Sequence, residues 1–204
     1  MVESFRVPVI NAGNGHDEHP TNAMTDLYTL FKWRPDLLMD DGDGAPRLSI
    51  GIFGDASRTR TIRSLLLGLV TFRHAVERVV FFQRLDKMFE PGQREALEAA
   101  GLTIQTVQEL LPLESKMHAY EKLLPRMDVM YVHNLHPSQY TRMELIQGIK
   151  HLKPECLVFN PHIQSQEFSD HLNNSPYNAY FAQARGSVFI RMALFSAIMG
   201  LAGV

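Results

Sequence analysis

The sequence has one cysteine, one tryptophan and no long uninterrupted run of apolar residues. A single cysteine excludes an internal disulfide framework and fits a reducing compartment. No apolar stretch reaches the ~18 residues that a membrane-spanning helix needs, so no transmembrane segment is expected. The first residues also lack the basic-then-apolar order of a signal peptide. These absences make a cytoplasmic location the default expectation.

An excess of charge of either sign is absent as well. The chain has 20 basic and 22 acidic residues, a formal net charge of −2, and its basic residues are scattered. It therefore carries no electrostatic footprint for nucleic acid or for an anionic membrane. With 45% hydrophobic and 21% charged residues, the 204 residues are enough for one α/β domain with a small appendage.

Short apolar runs rich in β-branched residues predict the strands of a sheet. Each run is apolar on both faces, as buried parallel strands are, and segments with helical spacing lie between them. The strands are predicted at 48–53, 78–82, 103–107, 128–132 and 156–159, and the helices at 61–72, 93–100, 117–124 and 140–150. This alternation predicts an α/β fold with a doubly wound parallel sheet of about five strands. Cys156 lies inside the last strand, where a buried inert thiol is expected.

Two further helices flank this predicted core. Residues 19–33 read as a helix with Pro20 in its first turn, and 36–46 form a turn-rich acidic connector. Residues 178–201 predict a long apolar helix that is interrupted or kinked near Gly186. Both helices are apolar over much of their circumference. Either they cover one face of the sheet, or they pack on something that this chain does not contain.

The loops after the strands determine function in such a fold, because ligands bind beyond the carboxyl ends of the strands. Residues 54–61 bring arginines and hydroxyls to the start of a helix, where free backbone N–H groups favour anions. Residues 133–136 and 160–164 add histidines, asparagines and a glutamine. Three converging loops of this composition predict a site for a carboxylate or a phosphate.

An ordered set of motifs is more specific than any single loop. PVINAGNG at 8–15, HPTN at 19–22 and DLYT at 26–29 resemble the aspartate carbamoyltransferase pattern PVINAGDG…HPTQ…DLYT. GD at 54–55 with RT at 60–61 and SL at 64–65 resembles that family's GD…GRT.HSL. DVMY at 128–131 resembles its DVLY strand, and YFAQA at 180–184 with the following RMAL resembles its YFRQA…VR.ALL helix. The chain therefore resembles the C-terminal, amino-acid-binding half of this family.

The resemblance implies a two-domain catalytic chain of which only the second part is represented. Residues 1–35 would be a linking segment and a helix at the interface with an absent carbamoyl-phosphate domain. Residues 36–177 would be the amino-acid-binding domain, and residues 178–204 would be a helix that returns to that interface. The family's first domain holds carbamoyl phosphate through an STRT turn, which this sequence lacks. The expected partners are that separate domain, an amino-acid ligand and further copies of the chain, since the family forms trimers.

The resemblance also assigns site residues. His19 matches the histidine that polarises the carbamoyl carbonyl, and Arg60 matches the arginine that binds the α-carboxylate of aspartate. Asn22 replaces the glutamine that contacts the carbamoyl amino group. In place of the family's TR.Q, Asn134 stands for the arginine and His136 for the glutamine. His162 lies in the altered HPLPR loop, where the family has a leucine.

No cofactor and no metal are expected. The run 16–19 (HDEH) lacks a further ligand cluster with firm spacing, and Gly13 and Gly15 lack the third glycine of a dinucleotide fingerprint. The functional hypotheses are a carbamoyltransferase subunit of pyrimidine biosynthesis that is inactive alone, and a non-catalytic homologue that acts as a scaffold or regulatory partner. A third alternative is that the chain is a piece of a longer product.

Overall fold

Five parallel strands form one sheet. The structure is a computed structural model that describes residues 7–39, 46–83, 88–112, 115–133, 147–161 and 175–200. Its strands are β1 (Leu48–Phe53), β2 (Val76–Phe81), β3 (Ile104–Thr106), β4 (Val129–Val132) and β5 (Leu157–Phe159). All neighbouring strands are parallel, in the order β3-β2-β1-β4-β5. The predicted five-stranded parallel sheet is confirmed, and its strand order reverses between β1 and β4.

The strands are buried on both faces because successive side chains enter two different hydrophobic layers. In β2, Val79 and Phe81 join one core cluster, whereas Val80 joins the other. In β4, Tyr131 belongs to the first cluster and Met130 to the second. This alternation explains why each strand reads as a continuous apolar run in the sequence.

Six α-helices have both ends in the described part of the chain and surround the sheet, and residues 147–149 are helical as well. The six are α1 (Pro20–Trp33), α2 (Arg60–Thr71), α3 (Gln93–Ala99), α4 (Val107–Leu110), α5 (Lys116–Leu123) and α6 (Tyr180–Ile198). Helix α1 packs against both α2 and α6. The α1 and α2 side chains fill the first core cluster, and the α5 side chains fill the second.

The two flanking helices behave differently from each other. On α1, Ala23, Leu27 and Leu30 are buried and only Met24 among its large apolar side chains is exposed, so the chain's own core covers most of this helix. On α6 only Gln183 and Gly186 are buried. Large apolar side chains of α6 remain exposed: Phe181, Val188, Phe189, Met192, Phe195 and Ile198.

The predicted interruption of the last helix is wrong, and its alternative, a kink, stays a prediction. Helix α6 runs continuously through Gly186, and this residue packs directly on α1. A Cβ at position 186 would lie 3.0 Å from Cδ1 of Tyr28 and 3.3 Å from Oγ1 of Thr29. The glycine therefore allows a close helix–helix approach rather than a break. The helix predicted at 140–150 lies largely outside the described residues, as does 40–45 of the acidic connector.

Cys156 is buried, and burial raises the pKa of its thiol to about 12. A thiol with this pKa is not a nucleophile at neutral pH. Among the described residues, no helix is long and apolar enough to cross a membrane.

Candidate functional site

The candidate site lies at the carboxyl ends of β1 and β4, where the strand order of the sheet reverses. In open α/β sheets this position leaves a crevice for ligands. The loop after β1 leads into α2, which begins at Arg60, and the loop before α1 ends at His19. His133 follows β4 and Asn160 follows β5, and both are buried.

Arg60 is held against a glycine loop that precedes α1. Its Nη1 donates a hydrogen bond of 2.9 Å to the carbonyl oxygen of Gly15. The guanidinium covers Gly13, which has φ +127°, and a Cβ there would lie 3.0 Å from Nη1 and 3.1 Å from Cζ. A side chain at position 13 would therefore strain the backbone and displace the guanidinium. The loop thus fixes the position of Arg60.

Side-chain amides give the glycine loop its shape. Oδ1 of Asn11 accepts from the backbone N–H of Gly13 at 2.9 Å. Oδ1 of Asn14 accepts from the N–H of Glu18 at 3.0 Å, and the N–H of Asn14 donates to the carbonyl of Glu18 at 3.1 Å. Short-range bonds of this kind stabilise turns that have no other secondary structure.

Ser64 on α2 ties the same loop to the start of α1. Its hydroxyl donates to the carboxylate of Glu18 and accepts a hydrogen bond of 2.8 Å from the backbone N–H of His19. Nδ1 of His19 lies 3.4 Å from the hydroxyl of Thr21. Arg60 and Ser64 are both on α2, so a single rigid helix positions Arg60 and the backbone of His19.

The charge of Arg60 is not neutralised within the described residues. The ion pairs found there join Arg34 to Asp36, Arg94 to two glutamates, His118 to Glu121 and Lys153 to Asp128. Arg60 takes part in none of them. A fixed guanidinium without a carboxylate partner, at the N-terminus of a helix, favours binding of an anion.

A buried polar cluster lies beneath these residues, centred on Asp26 of α1. The carboxyl group is 3% exposed. Its Oδ2 accepts from Nδ2 of Asn22 at 2.8 Å and from the hydroxyl of Tyr131 at 3.0 Å. Its Oδ1 accepts from Nε2 of Gln183 at 2.6 Å, and Oε1 of Gln183 accepts from the N–H of Asn160 at 3.1 Å. The cluster therefore connects α1, β4, α6 and the residue after β5.

Burial sets the protonation behaviour of this cluster. It raises the pKa of Asp26 from 3.8 to about 7, although the hydrogen bonds from Gln183, Tyr131 and Asn22 act in the opposite direction. Burial also holds the pKa of Tyr131 well above its usual value, and the neighbouring Asp26 carboxylate adds to this effect. Asp26 is therefore present in both protonation states near neutral pH.

Asn22 takes part in the buried cluster. Its Nδ2 donates to Asp26 and lies 3.4 Å from the hydroxyl of Tyr131. The buried cluster therefore holds the amide nitrogen of Asn22.

The remaining predicted site residues cannot be placed. Asn134, His136 and His162 lie outside the described residues. Their loops begin at His133, whose N–H donates to the carbonyl of Phe53 at 2.8 Å, and at Asn160, which Gln183 holds. The first residue of each loop is therefore fixed at the same edge of the sheet as His19 and Arg60.

Comparison with known proteins agrees with this geometry. The catalytic subunit of aspartate carbamoyltransferase from Staphylothermus marinus is 32% identical over 212 residues, which cover 95% of this chain and 60% of that protein. The subunit from Hyperthermus butylicus is 30% identical over 207 residues, or 95% of this chain and 59% of that protein. These similarities support a place for the chain in the aspartate carbamoyltransferase family. It resembles the C-terminal half of these subunits and spans about 60% of the length of the curated relatives it matches.

Solved structures of aspartate carbamoyltransferases have the same fold. The ligand-free aspartate transcarbamoylase of Trypanosoma cruzi is 25% identical, with a TM-score of 0.71 over 100% of this chain and 62% of that chain. The same enzyme in complex with aspartate and phosphate gives 24% identity and a TM-score of 0.71 over 100% of this chain and 60% of that chain. No model of a protein family matches the chain.

Sequence reasoning missed the residues that support the site. It matched Asp26, Tyr131 and Gln183 as letters of three separate family motifs, and it gave them no role. Gly13 was considered only as part of a family motif and of a dinucleotide fingerprint, and Ser64 only as part of a motif. A signal for the Asp26 cluster was available in these three motifs. Each motif has a polar residue within an apolar segment, and a buried polar residue needs a hydrogen-bond partner.

Proposed function

We propose that the chain is the amino-acid-binding part of a carbamoyltransferase, which acts together with a separate domain that holds carbamoyl phosphate. The observation that carries the proposal is the fixed guanidinium of Arg60 at the carboxyl edge of the sheet, without a carboxylate partner among the described residues. Such a group is suited to bind the α-carboxylate of an amino acid.

The proposed chemistry is carbamoyl transfer to an amine. The acceptor nitrogen attacks the carbonyl carbon of carbamoyl phosphate, the bond from that carbon to the phosphate oxygen breaks, and phosphate leaves with the proton released by the amine. Arg60 would orient the acceptor, and His19 would donate a hydrogen bond to the carbonyl oxygen as negative charge develops on it. Positioning and electrostatic stabilisation supply most of the acceleration in such a mechanism.

The sequence differs from the family where the amino-acid acceptor would bind. The family's second aspartate-binding arginine is replaced by Asn134, with His136 and His162 nearby in sequence. Losing a bidentate guanidinium would weaken binding of a side-chain carboxylate by about 2–5 kcal/mol. We therefore infer that L-aspartate binds weakly, and that a different α-amino acid is the preferred acceptor if the chain is catalytic.

The non-catalytic alternative has one specific observation in its favour. The side chain of Asn22 is one methylene shorter than the family's glutamine, and its amide nitrogen contacts Asp26 and Tyr131 in the buried cluster. A displacement of about 1 Å at a reacting group costs on the order of a hundredfold in rate. A scaffold or regulatory homologue would keep the fold and its contacts without turnover.

The proposed partner is a carbamoyl-phosphate-binding domain, which corresponds to the part of the relatives that this chain does not match. Residues 1–35 and 178–204 would meet it, with 36–177 as the amino-acid-binding domain. The exposed apolar side chains of α6 support this arrangement, because soluble proteins rarely leave large apolar patches in water. By analogy with the family, the assembly would be a cytoplasmic trimer in pyrimidine biosynthesis.

A binding experiment with a matched pair of variants tests the role of Arg60. L-Aspartate, succinate and other amino acids would be titrated at millimolar concentration against isotopically labelled chain and followed by NMR. We expect shifts near the crevice in the wild type and in Arg58→Ala, and none in Arg60→Ala. Arg58 is the control because it is exposed and only two residues away. Equal binding by both variants would contradict the proposed site.

A second experiment separates the two candidate functions. The chain would be mixed with a separately expressed carbamoyl-phosphate-binding part of the S. marinus subunit, and carbamoylated product would be measured. The chain alone is expected to form none. Product from the mixture supports the enzyme, provided that it disappears with His19→Ala. Binding of an amino acid without any product favours the non-catalytic homologue.

A further inference from the structure

Helix α6 packs on α1 but buries few of its own residues. Of its 19 residues, only Gln183 and Gly186 are buried. Gly186 packs on the ring of Tyr28, and the ring of Phe189 lies 6.3 Å from the same ring between centroids. A helix that buries so little apolar surface is attached weakly by the hydrophobic effect, so its polar contacts carry a large share of its attachment.

Gln183 provides the main polar attachment. Its Nε2 donates to Oδ1 of Asp26 at 2.6 Å and its Oε1 accepts from the N–H of Asn160 at 3.1 Å. One side chain therefore links α6 to α1 and to the residue at which the loop after β5 begins. Movement of α6 away from α1 would break both bonds together.

The other oxygen of the same carboxyl group holds the crevice side of the cluster. Oδ2 of Asp26 accepts from Asn22 at 2.8 Å and from Tyr131 at 3.0 Å. Asn22 lies one turn from the start of α1, directly after the segment that includes His19. A change at one oxygen of a carboxyl group changes the charge at the other, so the two halves of the cluster cannot vary independently.

We propose that Asp26 is a positioning residue that couples the docking of α6 to the arrangement of Asn22 and Asn160 at the crevice. A partner that binds the apolar face of α6 and a ligand that binds in the crevice would then stabilise each other through this carboxyl group. The crevice half of the inference rests on the proposed function, whereas the docking of α6 does not.

The coupling has a defined pH dependence. The groups that face Asp26 are the amides of Asn22 and Gln183 and the hydroxyl of Tyr131, which itself contacts Thr61, and none of them is charged near neutral pH. Docked α6 excludes water from Asp26 and favours the protonated form, with a pKa of about 7. Detachment of α6 would admit water to the carboxyl group, which lowers its pKa, and would remove the Gln183 hydrogen bond, which raises it. Burial is the larger of the two causes, so the pKa falls toward the ordinary value. A rise in pH to about 7 therefore weakens docking, and a further rise has little effect.

Hydrogen exchange measured by mass spectrometry tests the docking of α6. Exchange of the α6 peptides would be compared at about pH 6 and about pH 8 after correction for the intrinsic chemical rate, with α2 as the internal reference. If detachment rehydrates Asp26 fully, the population of detached α6 rises up to about tenfold between these values. We expect this rise in α6, no such rise in α2, and no pH dependence of α6 in Asp26→Asn.

The controls keep the outcomes separate. Asp36→Asn removes an exposed carboxyl group and should leave the behaviour of α6 unchanged, and the wild-type comparison of α6 with α2 needs no variant to fold. Corrected exchange of α6 that is equal at both pH values, or equally pH-dependent in Asp26→Asn, would overturn the inference. Any amino acid found to bind in the crevice should slow α6 exchange. If α6 responds to pH and no amino acid binds, only the proposed function fails.

Discussion

Replacement of Asp26 by asparagine should change how the stability of the whole protein depends on pH. In the folded chain the pKa of Asp26 is raised from 3.8 to about 7 by burial. Between these two values the folded protein carries a proton that the unfolded chain has released. The free energy of unfolding contributed by this group is therefore fully present below about pH 4 and is lost as the pH rises to about 7.

The size of the effect follows from the shift. One pKa unit corresponds to about 1.4 kcal/mol, so a shift of about three units corresponds to about 4 kcal/mol over this range. Asparagine stays neutral at every pH and resembles the protonated carboxyl group in shape. The wild-type protein should therefore lose about 4 kcal/mol of stability relative to Asp26→Asn as the pH rises from about 4 to about 7.

Urea unfolding followed by tryptophan fluorescence provides the measurement. Trp33, the single tryptophan, is at the end of α1 and packs against the first core cluster. The difference in unfolding free energy between variant and wild type would be plotted from about pH 4 to about pH 9, with Asp36→Asn as the exposed control. Parallel curves for Asp26→Asn and wild type would refute the reasoning, because Asp26 would then ionise equally in both states.

Three further predictions concern the site and the partner. Gly13→Ala should displace the guanidinium of Arg60 and weaken amino-acid binding in an NMR titration. It should also destabilise the loop by about 1–3 kcal/mol through backbone strain. Unchanged binding would mean that the loop does not position Arg60. Asn134→Arg combined with His136→Gln should raise the affinity for aspartate or succinate by about 1.5–3 kcal/mol in calorimetry, whereas an unchanged isotherm would mean that the backbone of this loop has diverged too. Light scattering at micromolar concentration should show that the chain associates with itself or with a carbamoyl-phosphate-binding domain. Phe195→Ser should weaken that association without lowering stability. A monodisperse monomer that does not bind such a domain would argue against an interface on α6.

The fold could be predicted from the sequence because its signals are local. Each strand is a short run that is apolar on both faces, and all five were predicted within two residues of their observed ends. The error at Gly186 shows where local reasoning fails. Glycine usually weakens a helix interior by about 1 kcal/mol relative to alanine. Here its small size lets α6 approach the ring of Tyr28, a contact that only the tertiary structure reveals.

The site could be predicted only in part, because its supporting contacts are long-range. The family resemblance assigned His19 and Arg60 to the site, and their roles stay predictions. The bond that joins Ser64 to Glu18 spans 46 positions, and those that join Asp26 to Tyr131 and to Gln183 span 105 and 157. Motif letters name such residues but do not show that they touch. For the same reason, the sequence assigned Asn22 to the substrate but did not show that its amide nitrogen also contacts Asp26 and Tyr131.

The chemistry of the Asp26 cluster explains why a carboxyl group is kept in a position where its ionised form is unfavourable. Three donors, from Asn22, Tyr131 and Gln183, point at its two oxygens. An asparagine would present its own N–H₂ group to at least one of them, and an apolar residue would leave all three unsatisfied at about 1–3 kcal/mol each. The ionised carboxylate accepts all three bonds, whereas the protonated form must turn its own O–H toward one of these donors. The same group is also the only one in the cluster that titrates near neutral pH, so the geometry that specifies how α1, β4 and α6 meet necessarily makes their contact sensitive to protons.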